Sequence, residues 1–263
     1  MQGYRSCIFF CNNLRNLRHK IQKGNAMNKK RITIITDVIL LAVFVFVTGV
    51  SFFSERILPI SIYDGDKVSA IYRGNTEKNN VSLMFNVYEN TSIVNQIVKT
   101  LKDNGVVATF FVGGCWADDN IETLKSILDG GNELANHGYF HKDHAVISNE
   151  KNREEIYNNG VLIKSLVGVD MTLFAPPSGS YKEDTLKIAN ELGYKVIMWS
   201  KDTIDWRDKN EDVVYSRATK NAGNGDLILM HPKAHTLNVL GEIIDFYKSN
   251  GYNLVTVSEN IGV

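Results

Sequence analysis

Hydrophobic positions along the chain fall into two regimes. Across residues 32–53 they run almost unbroken, and Asp37 is the only charge in 22 residues. At about 1.5 Å per residue, a helix of that length spans the ~30 Å hydrocarbon layer of a membrane. From Val81 onward the pattern changes to short apolar runs alternating with stretches of helical period. Runs at residues 81–87, 106–112, 173–175, 195–199, 226–231 and 253–257, and one ending at Asn136, predict strands. Helices are predicted near residues 92–102, 121–128, 154–167, 183–192, 213–220 and 237–248. Strand and helix in alternation predict a parallel sheet with crossover helices, an α/β fold. About seven such units in roughly 180 residues fit a small or incomplete α/β barrel.

Lys29, Lys30 and Arg31 stand directly before the apolar run, and only Glu55 and Arg56 follow it closely. The positive-inside tendency then predicts a cytoplasmic leader over residues 1–31, an anchor over 32–54 and a body outside, held at the cell membrane by a single pass. A cleaved signal peptide is the rival reading. It expects a shorter apolar region and a small-residue cleavage site, of which Thr48-Gly49-Val50-Ser51 is a poor version. Met27 would make a more usual start for such a leader than Met1, and residues 1–26 are assigned no fold. Residues 55–80 are polar with short apolar pieces, which suits a linker and an edge strand, leaving 81–263 as the body.

The formal net charge of zero conceals an asymmetry. Eight of the 29 Lys and Arg residues lie in residues 1–31, which contain no Asp or Glu, so 21 basic residues face 29 acidic ones in the rest. A body of that sign argues against nucleic acid as a partner. Three cysteines, Cys7, Cys11 and Cys115, are too few and too scattered for a disulfide framework or a cysteine-built zinc site. No Gly-rich loop with Lys and Ser or Thr is present to cradle a phosphate.

In barrels of alternating strands and helices, chemistry collects where strands end. Five such ends carry polar or unusual residues: Asn86 to Glu89; His137 to His141, followed by His144; Ala175 to Gly179; Asp202 to Trp206; and Leu229 to Pro232. The His137 and His141 spacing can bring two imidazoles to one metal ion, although loop histidines at that spacing are also commonly plain hydrogen-bonding groups.

The order of these clusters resembles carbohydrate esterase family 4, the polysaccharide deacetylases with a NodB-homology domain, over about residues 80–261. The resemblance implies a distorted (β/α)7 barrel. It implies a divalent cation, zinc or cobalt-like, that polarises a water and the amide carbonyl of an N-acetyl sugar. Carried onto this chain, His137 and His141 resemble the metal-ligating imidazoles. His231 resembles the general acid for the departing amine, with Asp202 as the carboxylate that orients it. The Ser178 N–H resembles the oxyanion donor. Trp206 and Leu229 resemble the walls of the acetyl pocket, with Asn86 and Pro177 counted beside them as substrate contacts.

Departures from the family pattern fall in one half of the site. Asn86 and Val87 stand where the family has two aspartates, a base and a metal ligand, and Ala175 stands where it has an arginine that pairs with the base. An amide has no basic lone pair, and an isopropyl group binds no cation, so any bound metal is expected to be held weakly. Glu89 is a possible replacement carboxylate, or simply a solvated loop residue. A diverged, sporulation-associated group of deacetylase-like proteins is similar in lacking part of the aspartate pair and in its membrane leader. Two expectations follow: a hydrolase acting weakly on the N-acetyl groups of a cell-wall glycan or N-acetylated oligosaccharide, or an inactive barrel that binds glycan or a partner.

The leader generates the first prediction. Protease added to intact protoplasts should digest the body, because residues 32–53 hold it outside. Full protection, or a soluble fragment beginning near Ser51, would contradict a retained anchor.

Overall fold

The computed structural model describes residues 68–263, together with Leu41 and Ala42. The basic leader, nearly all of the expected anchor and the first half of the expected linker, residues 55–67, lie outside the described residues. No helix among those described is long and apolar enough to cross a membrane.

The body is built on one sheet of eight strands. These are β1 (Asn80–Val87), β2 (Thr109–Val112), β3 (Glu133–Asn136), β4 (Leu173–Phe174), β5 (Lys195–Val196), β6 (Lys201–Asp202), β7 (Leu227–Met230) and β8 (Asn253–Leu254). Their order is β5-β4-β3-β2-β1-β7-β6, with β8 paired to the start of β1, and every ladder is parallel. Among the described residues no ladder joins β5 to β6, so the sheet curls without closing. This is the incomplete barrel that the alternation predicts.

All eight side chains of β1 are buried, as a strand covered on both faces requires. Val81, Leu83, Phe85 and Val87 join the larger core between sheet and helices. Met84 faces the interior, where it meets a smaller cluster with Phe111, Ala135, Leu173, Ala175, Ile197 and Leu227. The period of two thus splits one strand between two cores, and only the inner face leads up to the open end of the barrel.

Helices cover the outside. Helix α1 (Thr91–Asp103) buries Val94, Ile97, Val98 and Leu101, the i, i+3, i+4, i+7 stripe of an amphipathic helix. After β2 comes the short α2 (Gly114–Asp118), which the periodicity does not announce, and then α3 (Ile121–Asp129). Helix α4 (Asn149–Val167) starts five residues earlier than the hydrophobic period suggests. Its first turns are polar, and the start is set by Ser148, whose Oγ accepts from Lys151 N at 3.3 Å. Helices α5 (Glu183–Glu191), α6 (Glu211–Thr219) and α7 (Ala234–Ser249) follow the sequence expectation closely. The final strand is shorter than expected. Thr256 caps a terminal helix α8 (Val257–Ile261) by accepting from Glu259 N at 3.3 Å.

Residues 71–75, inside the stretch read as linker, are bound into the body. Ile71 N donates to Val196 O, Met198 N donates to Ile71 O, both at 2.8 Å, and Ile71 bridges Ile197 in parallel, an isolated bridge rather than the edge strand expected there. Arg73 Nη2 meets the fully buried Asp226 carboxylate at 2.8 Å, which also accepts from Ser200 Oγ at 2.8 Å. Gly74 N donates to Gly225 O at 2.7 Å. Gly225 has φ +75°, and a Cβ there would fall 2.6 Å from Gly74 O. Neither the conformation nor the space admits a side chain.

Gly225→Ala should therefore destabilise the protein by about 2 kcal/mol or more, since a left-handed non-glycine alone costs roughly 1–3 kcal/mol. Chemical denaturation of the full chain reads this directly. An unchanged midpoint would show that this crossing of the two backbones is not tightly packed.

Candidate functional site

A cavity of about 280 Å³ opens at the carboxyl ends of the strands. Asn86 reaches it from β1, Tyr88 from the loop after β1, and His137 and His141 from the loop after β3. Ser178 and Gly179 come from the turn after β4, and Trp199, Asp202 and Trp206 from the segment between β5 and α6. Leu229 and His231 come from β7. Eight of the nine residues to which the sequence assigns site roles are thus brought together. The exception is Pro177, which is buried at the start of the turn and is absent from the cavity lining.

His231 is the best-anchored group. Its Nδ1 lies 2.7 Å from Asp205 Oδ1 and its backbone N donates to Asp205 Oδ2 at 2.7 Å. Thr236 Oγ1 donates to the same Oδ2 at 2.6 Å. Burial pushes the Asp205 carboxyl up, but the hydrogen bonds from His231 and Thr236 outweigh it and hold the carboxyl below its ordinary value. A carboxylate accepting from Nδ1–H fixes the tautomer and leaves Nε2 for the cavity.

The expectation that Asp202 orients His231 is therefore corrected: the carboxylate on the imidazole is Asp205. Asp202 Oδ1 instead accepts from Ile204 N at 2.8 Å, an Asx-type turn. This turn carries Ile204 at φ +53°, an uncommon conformation for a β-branched residue. Asp202 builds the bend that delivers Asp205 to His231, and Arg217 braces it by donating to Thr203 O at 3.1 Å and Asp208 Oδ2 at 2.7 Å.

The imidazole pair is placed by a different device. His137 is buried, and its Nδ1 donates to Ala175 O at 2.8 Å, because a carbonyl can only accept. Its Nε2 therefore carries the lone pair. Burial, and then the neighbouring His141, push the His137 imidazole down to about 3, only partly opposed by the Ala175 carbonyl. Beneath the loop, Asn136 Oδ1 accepts from Gly138 N and from Asn159 Nδ2, both at 2.9 Å. Glu155 Oε2 accepts from Phe140 N at 2.8 Å. His141 sits at φ +56°, with its ring centre 5.1 Å from that of His137. His144 points elsewhere: its Nδ1 donates to Asn152 Oδ1 at 2.6 Å and its ring lies 5.0 Å from Phe174.

Two imidazoles that share one tetrahedral cation at about 2.1 Å place their ring centres roughly 5 Å apart. The spacing of His137 and His141 thus matches one half of a metal site. The other half is missing. Val87 packs into the helix-side core, and Asn86 Oδ1 is buried with no hydrogen-bond partner. Ala175, in the interior cluster, carries no donor for it. Glu89 is drawn away into an ion pair with Lys233. No group of three or more His, Cys, Asp or Glu side chains converges among the described residues. A catalytic divalent cation is ordinarily held by three protein ligands, so two imidazoles with no third ligand beside them do not fit one.

Sequence reasoning missed Tyr88, Asp205 and Trp199. Asp205 was within reach, since the Asp202 to Trp206 segment holds two carboxylates and either spacing suits a strand-end turn. Tyr88 stands in the first cluster, and its ring centre lies 4.1 Å from that of His141.

The histidines make stability depend on pH. Burial first of all lowers His137, His141 and His144 below the ordinary imidazole value of 6.5. The unfolded chain then binds protons that the folded chain refuses, so stability is full above about pH 6.5 and falls as pH drops towards 3. Melting temperature should be lower at about pH 5 than at about pH 7, and His137→Gln should narrow the difference. Equal melting temperatures would contradict the burial of neutral imidazoles.

Similarity to known proteins agrees with this geometry. Residues 73–197 match the family model for polysaccharide deacetylase. The uncharacterized protein YlxY of Bacillus subtilis is 35% identical over 189 residues, which cover 72% of this chain but only 59% of that one. A peptidoglycan-N-acetylglucosamine deacetylase of Bacillus cereus is 31% identical over 170 residues, 62% of this chain and 79% of the relative. Among solved structures, a CE4 family pseudoenzyme from Bacillus anthracis superposes with a TM-score of 0.71 at 33% identity, covering 74% of this chain and 69% of that one. A mutant of that pseudoenzyme with restored enzymatic activity superposes equally well. With its curled parallel sheet, its strand-end imidazoles and these relatives, the chain belongs to the polysaccharide deacetylase family, carbohydrate esterase family 4.

Proposed function

We propose that this chain binds N-acetylated cell-wall glycan of the peptidoglycan type in the strand-end cavity, and hydrolyses the acetamide at least about 10²-fold more slowly than an intact family member. The observation that carries the reading is the asymmetry of the site. The His231 and Asp205 pair is fully formed, whereas the positions of the base and the third metal ligand hold Asn86 and Val87.

Each residue present has a definite part in this reading. His231, oriented by Asp205, presents Nε2 to the sugar nitrogen. The turn at Ser178, held at φ +57°, offers its N–H beside the carbonyl oxygen. Leu229 and Trp206 flank the acetyl methyl, and Trp206 is 54% exposed, enough to receive a ligand. Asn86 stands in the lining, where its delocalised amide nitrogen accepts no proton from water. General base catalysis contributes about 10²- to 10⁴-fold, so loss of the base alone accounts for the slow rate. The residues present do not fit the family's divalent cation, and no step is assigned to it here.

The membrane leader belongs to the same proposal. A body tethered outside the membrane meets cell-wall glycan directly, which suits binding with only slow turnover. The relatives favour this reading as well, since a family pseudoenzyme is among the similar structures.

Calorimetric titration of the full chain with tetra-N-acetylchitotetraose tests the reading. The wild type should bind, and should prefer this oligomer to its fully de-N-acetylated counterpart. Trp206→Ala should weaken binding by about tenfold, as loss of an aromatic contact at an anchor position does. No binding by the wild type, or equal binding of both oligomers, would overturn it.

A further inference from the structure

Tyr88 belongs to none of the catalytic roles above, yet it lines the cavity. Its ring centre lies 4.1 Å from that of His141 with the planes at 39°, and 6.4 Å from that of His137. The two imidazoles meet edge to face, at 5.1 Å and 68°. Three rings therefore form one continuous surface on the side of the cavity where a cation site is incomplete. Tyr88 is still 39% exposed, so packing on His141 leaves part of the ring open.

The loop that carries Tyr88 is held at both ends. Gly113 N donates to Val87 O at 2.9 Å, immediately before it. Immediately after it, Glu89 is ion-paired with Lys233 and Asn90 Nδ2 donates to Pro232 O at 3.0 Å. Both of these partners follow His231, so the loop after β1 is strapped to the loop after β7. A ring fixed in this way costs little conformational entropy when a ligand settles on it. Trp206, the other half-exposed aromatic ring in the lining, arrives from the turn after β6, and β7 lies between β6 and β1 in the sheet.

We propose that Tyr88 is a glycan-contacting, specificity-determining residue: its ring converts the incomplete cation half of the cavity into a stacking surface for the apolar C–H face of a pyranose. A sugar ring has an apolar face of C–H bonds and a rim of hydroxyls, and an aromatic face with its negative quadrupole attracts the former. The proposal rests on the glycan-binding reading above and adds a contact that reading does not contain.

Titration of the full chain with tetra-N-acetylchitotetraose separates the two. Tyr88→Ala should weaken binding by about fivefold or more, within the roughly two- to twelvefold range of an aromatic contact. Tyr88→Phe, which keeps the ring, should stay within about twofold of wild type, a rescue that hydrogen bonding by the hydroxyl would not give. Tyr88→Leu, which fills the space without a π face and guards against misfolding of the alanine variant, should lose as much as Tyr88→Ala at an unchanged melting temperature. Binding by wild type together with unchanged affinity in Tyr88→Ala and Tyr88→Leu would overturn the role of Tyr88 and leave the glycan reading standing. A loss in Tyr88→Phe equal to that in Tyr88→Ala would also overturn it, because the ring would then not be the contact. No binding by wild type would remove the glycan reading itself.

Discussion

Every strand of the sheet runs in the same direction, and the site depends on that constraint. Parallel strands bring all their carboxyl ends to one end of the barrel, so residues as distant in sequence as Asn86, His137, Ser178 and His231 line one cavity. The price is that each strand must be buried on both faces, which β1 meets with eight buried side chains. Where the sheet fails to close between β5 and β6, the chain compensates locally. The segment between them supplies Trp199, β6 itself supplies Asp202, and Ile71 adds a bridge beside β5.

At that common end the two halves of the site are in different states. One half is over-determined: the Asp205 carboxylate accepts from the His231 ring, the His231 backbone and Thr236. Removing any one of these groups would leave a buried charge short of a donor, which is expensive. The other half retains the spacing of its imidazoles but lacks negative charge, and Asn86 Oδ1 is left without a partner. An unpaired buried acceptor costs roughly 1–3 kcal/mol and is seldom kept without compensation. The bend at Ile204 and the left-handed residues His141 and Ser178, which line or support this cavity, are conformations that non-glycine residues adopt at a cost.

Much of this was legible in the sequence, and the parts that were not have physical reasons. The long strands and amphipathic helices follow from periodicity, because burial on a sheet or under a helix imposes it. Helix α4 begins early because a serine cap, not an apolar stripe, sets its start. His137, His141 and His231 were found from their places at strand ends. The resemblance assigns the orienting role to Asp202, and nothing in the sequence says which carboxylate of this turn faces inward; the left-handed Ile204 decides that, and β-branched residues give no sign of adopting it. Pro177 was placed on the cavity wall by its neighbourhood with Ser178, whereas the tight turn buries one and presents the other. Tyr88 stands in the first strand-end cluster, but its ring carries neither a charge nor a metal-ligating atom by which the sequence could single it out.

The central claim is that this family member binds acetylated glycan without appreciable turnover. Acetate release from tetra-N-acetylchitotetraose by the full chain, with zinc supplied, measured beside the related Bacillus cereus peptidoglycan-N-acetylglucosamine deacetylase at equal concentration, tests it most directly. The account predicts a rate at least about 10²-fold lower for this chain. A rate within about tenfold of the relative would contradict it, and would mean that the cavity recruits a base and a cation ligand from residues other than Asn86 and Val87.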